Sequence, residues 1–499
     1  MNERHNTIRI STDARTIVSI DDFSFVPNDV TFLFGESGIG KSILSKAVYG
    51  LHDPDELTVE MNGRPYHHHL RSAWVREVQK NSFFVFQEPS SHLNSLMKIT
   101  EQLTEGSLCR ADNEEEILHH LWQTTRDDAI RRILDIYPKP YRPSGGEKQR
   151  VLLAMAFKKI TIFQQVNEPE RPTFFVFDEP TGSLDDNYRN VFLEFLFRKY
   201  AKQPFTVMFI THDYSIISVI YKKYTSILDR IHFKELTRQS DTRVSIHDFS
   251  ADDYLRWLDH ARPAPANRRV DNETPVLQVA GEFAIFNRSH AIYRDPGHTQ
   301  PCDFHIQAGE MSYLKAPSGV GKTTLAKIVM GLYAPQTFSM HLCGMRITER
   351  TGNGIWRKKI WGKKAGMVFQ HADESLNLQA TVKEVFGGLP TKRKITTDVL
   401  KLQLMELFEG EITESFLNKR VGLLSGGQKQ RLNLLRTLIL DTDLVILDEP
   451  LNGLDFASIR KVLSILEEKR RDGTALLVIS HNEEIFDHIV DPGNVYYLA

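Results

Sequence analysis

Gly35-Glu36-Ser37-Gly38-Ile39-Gly40-Lys41-Ser42, and again Ala316-Pro317-Ser318-Gly319-Val320-Gly321-Lys322-Thr323, decide how this 499-residue chain is read. The first stretch matches G-x-x-x-x-G-K-[ST]. Glycines let the backbone turn so that successive N–H groups point at phosphate oxygens; the lysine adds charge, and the hydroxyl can ligate magnesium. Val30–Phe34 before it is mostly apolar and Lys41–Tyr49 after it has helical character, so the local order is strand, loop, helix. The second stretch has Ala316 in place of the first glycine but keeps Gly319, Gly321, Lys322 and Thr323, and nucleotide binding is expected there too. Alanine costs little at that position if its φ is negative.

Working outward, the two stretches carry the same neighbours. Val85-Phe86-Gln87 returns as Val368-Phe369-Gln370, and Ser144-Gly145-Gly146 as Ser425-Gly426-Gly427. Phe177-Asp178-Glu179-Pro180 returns as Leu447-Asp448-Glu449-Pro450, and Thr211-His212 as Ser480-His481. Landmarks repeated in one order at nearly constant spacing mean two copies of one domain. The expected layout is a first domain over 1–231, a connector over 232–275 and a second domain over 276–499. The first copy is longer around Ile160–Arg171. That excess reads as a surface extension, because loops tolerate added length, and Pro169 and Pro172 would stop a helix entering it. In the connector, Ser250 and Asp253 resemble a capping box before a short helix at Tyr254–His260. Arg262–Asn267, with Pro263 and Pro265, reads as an extended tether.

Short apolar runs ending in carboxylates (Phe174–Phe177, Leu444–Leu447) read as buried parallel strands. Val207–Ile210 and Ala475–Ile479 are similar. Strands alternating with helices imply an α/β sheet with ligands at the strands' carboxyl ends. The stretches 95–142 and 380–422 look helical; in the second, either Val399, Leu402 and Met405 or Leu400, Leu404 and Leu407 give the apolar stripe.

Composition sets bounds. Hydrophobic residues at 41% and charged residues at 25% exclude a disordered or collagen-like chain. A net charge of -2 gives no global reason to bind nucleic acid, and none is expected as a partner. Three isolated cysteines, Cys109, Cys302 and Cys343, argue against a disulfide scaffold and for a reducing compartment. The segment Met1–Asn6 lacks the apolar core of a signal peptide, and no apolar run approaches about 18 residues, so any membrane part must come from other chains.

Asp178 and Asp448, ending apolar strands, are candidates to hold magnesium through water. Glu179 and Glu449 follow directly and can polarise an attacking water, a role typically worth about 10²–10⁴ in rate. His212 and His481 follow the next strands and would contact the γ-phosphate. Ser144-Gly145-Gly146-Glu147 and Ser425-Gly426-Gly427-Gln428 join a hydroxyl and two bare backbones to a helix start, which is an anion site.

Taken together, these motifs and the Ser183-Leu184-Asp185 and Gly453-Leu454-Asp455 turns resemble the ATP-binding cassette (ABC) ATPase family, twice, over nearly the whole chain. The resemblance implies an α/β fold of two tandem P-loop NTPase domains, each with a RecA-like core, a helical subdomain and an antiparallel β edge. It implies ATP and Mg2+ as cofactors, and cassettes that pair head to tail within the chain. ATP would lie against Gly35, Ser37, Gly38, Gly40, Lys41, Ser42 and Gln87, and against Ser318, Gly319, Gly321, Lys322, Thr323, Thr324 and Gln370. Magnesium would be held by Ser42, Gln87 and Asp178, and by Thr323, Gln370 and Asp448. Site one adds Glu179 and His212 and borrows Ser425, Gly426, Gly427 and Gln428; site two adds Glu449 and His481 and borrows Ser144–Glu147. The first signature begins with Pro143 where the family usually has leucine and ends in Glu147 where it often has glutamine. With Ala316, both departures fall in site two, the expected weaker site. Of the adenine-stacking aromatic the family uses, Phe286 is a candidate in the second half and the first half offers none.

Leu93-Asn94 and Leu376-Asn377 after the glutamines, and Tyr137-Pro138 before the first signature, are similar to the ATPases of peptide and nickel importers. That implies integral permease subunits as partners, a solute-binding protein reached through them, and a place on the cytoplasmic face of the cell membrane. The alternative is a soluble twin-cassette factor acting on the ribosome. Those factors usually carry a long charged helical linker, where this connector is interrupted by proline. A non-enzymatic ATP-binding scaffold is disfavoured by the retained Glu179 and Glu449. His67-His68-His69 reads as an exposed turn and not a metal tract, and Lys392-Arg393-Lys394 and Lys469-Arg470-Arg471 as solvated faces.

Overall fold

The computed structural model describes residues 3–13, 15–104, 114–136, 143–166, 168, 170–180, 186–240, 242–261, 274–317, 319–391, 395–408 and 412–499. Ser318, Cys109, Tyr137-Pro138, Ser183–Asp185, the tether at 262–267 and Lys392–Lys394 lie outside the described residues. The chain divides into two compact units, Met1–Asp252 and Asp253–Ala499.

In the first unit, strands β1 (Arg4–Thr12), β2 (Arg15–Phe25), β3 (Val30–Gly35), β4 (Thr58–Met61), β5 (Arg64–Pro65), β6 (Phe84–Val85), β7 (Phe175–Asp178), β8 (Val207–Ile210), β9 (Ile231–Arg238) and β10 (Arg243–Asp248) form one sheet. Its order is β5-β4-β1-β2-β10-β9-β3-β8-β7-β6. From β9 to β6 all pairings are parallel, and those strands are apolar and buried, as helices on both faces require. The helix Lys41–Tyr49 buries Leu44, Ala47 and Val48 against Leu33, Val176 and Ile210 of the sheet.

The second unit carries β11 (Leu277–Val279), β12 (Glu282–Ile285), β13 (Arg288–Tyr293), β14 (Phe304–Ile306), β15 (Met311–Lys315), β16 (Ser339–Leu342), β17 (Met345–Thr348), β18 (Ala365–Val368), β19 (Leu444–Asp448), β20 (Ala475–Ile479) and β21 (Val495–Leu498). They make two sheets, β12-β13-β21-β15-β20-β19-β18 and β14-β11-β16-β17. The parallel core repeats that of the first unit, while part of the antiparallel edge stands as a sheet of its own.

Three expectations are corrected. The segment from 232 onward is not a connector: β9 and β10 are full members of the first sheet, because their backbone groups pair with β3 and β2. The helix expected at Tyr254–His260 begins earlier, at Ala251; its Tyr254 and Trp257 belong to the second unit and pack there on Phe456. The extra length in the first copy is not a loop. The helix Gly145–Val166 has 22 residues against 13 in Gly426–Leu438. The added turns bury Ile160 and Phe163, and Lys199 Nζ donates to Thr161 Oγ1 at 2.9 Å. Apolar burial holds the extension against the body, and the helix stops ahead of Pro169.

Helices occupy the stretches read as helical, among them Glu114–Leu121 and Asp127–Ile136 in the first unit and Thr397–Leu407 in the second. In the last, Leu400, Leu404 and Leu407 are the buried stripe, whereas Val399, Leu402 and Met405 face solvent. Leu404→Ala is therefore expected to cost about 2–5 kcal/mol of stability, and Leu402→Ala less than about 0.5 kcal/mol. Urea unfolding of the two variants checks this. His67–His69 lie in a short helix, Tyr66–Leu70, not an open turn, and His69 Nε2 contacts the Val48 carbonyl at 2.8 Å.

Candidate functional site

The first site is built where β3 ends. Gly35, Gly38 and Gly40 take positive φ values of 138°, 78° and 114°, which only glycine adopts freely. The loop delivers the chain into the helix Lys41–Tyr49, whose first amides are left pointing at the turn. Lys41 is buried, and its Nζ donates to the carbonyls of Gly35 at 2.5 Å and Glu36 at 3.1 Å. Burial lowers its pKa, opposed by Glu179 and Asp178. Above the loop lies a cavity of about 450 Å³, lined among others by Ser37, Gly38, Gly40, Lys41, Ser42, Gln87 and Glu179.

Asp178 closes β7. Burial raises its pKa to about 6 against the hydrogen bond from Ser42. Its Oδ1 is buried without a hydrogen-bond partner among the described residues. Glu179 follows in a left-handed conformation (φ 44°), held there by its N–H donating to Ile210 O of β8 at 3.0 Å. For a non-glycine residue that is a strained backbone of the kind found at functional sites. His212 Nδ1 lies 3.1 Å from Glu179 Oε1, and Gln87 Nε2 donates to Oε2 at 3.3 Å. Burial would raise the Glu179 pKa, but the His212 cation outweighs it and holds the carboxyl down at about 2.

The second site has the same plan and different electrostatics. Lys322 Nζ donates to the carbonyls of Ala316 and Pro317. Gly319 and Gly321 take positive φ, but Ala316 does not. Thr323 Oγ1 donates to Asp448 Oδ1 at 3.3 Å, Oδ2 is buried without a partner among the described residues, and burial raises the Asp448 pKa to about 6. Thr324 follows in the same helix. Glu449 again has positive φ, 51°, its N–H bonded to Ile479 O at 2.8 Å. Here, however, the carboxylate accepts from neutral donors, the N–H of His481 at 3.0 Å and Ser480 Oγ at 3.2 Å. The His481 ring stands at 3.5 Å and is nearly half exposed. Burial therefore prevails and raises the Glu449 pKa to about 7. Gln370 makes no bond to Glu449 among the described residues, unlike Gln87 to Glu179.

Both signature serines cap helices. Ser425 and Gln428 form a capping box, Gln428 N donating to Ser425 Oγ and Ser425 N to Gln428 Oε1, each at 3.1 Å, ahead of Gly426 and Gly427. Ser144 and Glu147 form the matching pair ahead of Gly145 and Gly146, with Ser144 N and Oγ donating to Glu147 Oε2 at 2.7 and 2.9 Å. A carboxylate thus occupies the anion-attracting end of the first signature helix, where the second has a neutral amide.

The sequence reading missed the aliphatic wall of the first cavity: Ile17 and Val18 of β2, with Thr242 and with Val244 of β10. Only strand pairing brings 17–18 and 242–244 together, so no local pattern signals it. Phe286 sits at the turn between β12 and β13, 68% exposed, edge-on to Tyr333 at 5.7 Å. His290, in contrast, faces the second loop, 3.5 Å from where a Cβ on Gly321 would stand.

Two glycine-lined anion loops, each facing a strand-borne aspartate–glutamate pair and a histidine, define a twin phosphate-loop nucleotide hydrolase. The ABC transporter family model matches residues 19–182 and 299–452, and the chain belongs to that family as an ATP-binding ATPase. Among similar proteins is the "Glutathione import ATP-binding protein GsiA" of Pectobacterium atrosepticum, 26% identical over 96% of this chain and 81% of that one. Another is the "Peptidoglycan transport ATP-binding protein YejF" of Agrobacterium fabrum, 26% identical over 94% of this chain and 85% of that one. Among solved structures, an archaeal ribosome recycling factor, aABCE1, in complex with the ribosomal stalk protein aP1 has a TM-score of 0.58 at 18% identity. It covers 96% of this chain and 87% of that one. At that identity the likeness is one of fold.

Proposed function

We propose that this chain is the ATP-hydrolysing subunit of an importer of the peptide class. The observation that carries this reading is likeness along 96% of the chain to an import ATP-binding protein. No described helix is long and apolar enough to cross a membrane, so integral permease subunits would supply the path, with the chain on their cytoplasmic face and a solute-binding protein acting through them.

In this reading each ATP is clamped between one unit's phosphate loop and the other unit's signature segment. Site one uses Lys41, Ser42, Gln87, Asp178, Glu179 and His212 with Ser425–Gln428. Site two uses Lys322, Thr323, Gln370, Asp448, Glu449 and His481 with Ser144–Glu147. Glu179 accepts a proton from water as the water oxygen attacks the γ-phosphorus. The bond from that phosphorus to the β–γ bridging oxygen breaks, and ADP leaves with the oxygen. Lys41 and the loop amides offset the charge on the phosphates. The orphaned oxygens Asp178 Oδ1 and Asp448 Oδ2, beside Ser42 and Thr323, fit a cation held with Gln87 and Gln370. Magnesium held there would supply charge neutralisation for the phosphates. ATP favours the closed pair and hydrolysis removes that bias, which gives the permease a two-state drive.

Affinity purification of the full chain from detergent-solubilised membranes tests the reading. Integral permeases are expected to co-purify and to raise ATP turnover; stimulation by ribosomes and none by permeases would contradict it.

A further inference from the structure

Between β2 and β3 the first unit places two strands, β10 and β9. Between β13 and β15 the second places one, β21. The additional strand is β10. It runs parallel to β2, with Arg243 opposite Ser19 and Val244 opposite Ile20, and antiparallel to β9, with Val244 opposite Arg238. Ser19 N donates to Thr242 O at 2.7 Å and ties the start of β10 to β2.

This arrangement fixes where β9 ends. β9 is in register with β3 as far as Leu236 opposite Gly35. Arg238, just beyond, therefore stands level with the turn of the phosphate loop, and its Nη2 donates to Gly38 O at 3.4 Å. The cavity over the loop is bounded by Arg238, Thr242 and Val244 together with Ile17 and Val18. The aliphatic groups make an apolar wall, and Arg238 contributes a charged side chain from that side. Lys41 bonds to Gly35 and Glu36 carbonyls from within the loop. Two cations thus rest on carbonyls of one loop, and an anion entering the cavity draws on both. A guanidinium presents its donors as a planar fork that matches two phosphate oxygens.

We propose that Arg238 is a second cationic ligand for the phosphates of the nucleotide at the first site, supplied by the β9–β10 hairpin. The inference rests on the reading that the first loop binds ATP. It also gives the two sites different affinities for a reason independent of their signature segments.

The test uses the full chain carrying Lys322→Ala, so that the first loop is the one reported. ATP and GTP affinities are measured by calorimetry with Arg238 intact, with Arg238→Ala and with Arg238→Lys, alongside melting temperatures to show that each variant folds. Arg238→Ala is expected to weaken both nucleotides by about tenfold, equivalent to about 1.4 kcal/mol, with Arg238→Lys recovering part of the loss. Unchanged affinity in the folded alanine variant would overturn the inference. So would a loss confined to ATP, which would mark a contact to the base. If the protein with Arg238 intact binds no better than one that also carries Lys41→Ala, the ATP reading of this loop fails and the inference falls with it.

Discussion

Glu179→Gln is expected to remove most of the protein's ATP turnover, and Glu449→Gln a smaller part. The two glutamates have the same backbone, a left-handed residue hung from the adjacent strand, but different company. The ion pair with His212 keeps Glu179 fully ionised at neutral pH, with a pKa of about 2. Glu449, buried among neutral donors, has a pKa of about 7 and is protonated in about half the molecules at that pH. A protonated carboxyl cannot accept the water's proton. Losing a general base costs about 10²–10⁴ in rate at its own site, so the larger loss follows the site that turns over faster. The sign of the pH effect is fixed too. In the Glu179→Gln variant the base form of Glu449 grows as pH rises through about 7, so residual turnover should climb from about pH 6 and level off by about pH 8. Steady-state phosphate release across that range checks both statements. Equal losses from the two substitutions, or a flat profile, would remove the asymmetry.

Gly35→Ala should disable the first site almost completely, although alanine stands naturally at the matching place in the second. Gly35 has φ 138°, and a Cβ there would lie 2.7 Å from Leu236 O of β9. Ala316 avoids positive φ. The two loops therefore leave their strands by different backbone routes, and only the first needs glycine. Strain and the forced shift of β9 should together cost about 2–4 kcal/mol. Because β9 carries Arg238, the displacement also reaches the cavity wall. Thermal unfolding and nucleotide binding of Gly35→Ala, compared with Ala316→Gly, measure this: the first variant should lose both stability and binding at its loop, the second almost nothing.

The residues proposed to handle phosphate were legible in the sequence because their chemistry is local. A run of amides that must converge on an anion dictates glycines at fixed spacing, and a carboxylate at a strand's end announces itself by the apolar run before it. Repetition then raised weak motifs such as Ser-Gly-Gly and a lone histidine above coincidence. What stayed hidden depends on pairing between distant segments. Nothing in Arg243–Asp248 says that it inserts beside β2, and the reading of 232–275 as a connector failed there. Ile17 and Val244 look like ordinary strand residues until the sheet brings them over one loop. The extension after Ile160 has no periodic signature separating a continued helix from a loop, and burial of Phe163 decides it. Nor could the sequence tell which leucine stripe of Thr397–Leu407 faces inward, since both have helical spacing. The opposite pKa shifts of Glu179 and Glu449 turn on whether a histidine ring or a backbone N–H meets the carboxylate, a choice of rotamer and not of residue type.

In the proposed function neither unit holds a whole ATP site, and each completes the other's. A structure of the Glu179→Gln, Glu449→Gln protein with magnesium and ATP measures it directly. Ser425 Oγ is expected within about 3 Å of the γ-phosphate bound by Lys41, and Ser144 likewise at the nucleotide of Lys322. Nucleotide seated on the Lys41 loop with Ser425 remote, and no signature segment of a neighbouring chain in its place, would contradict it.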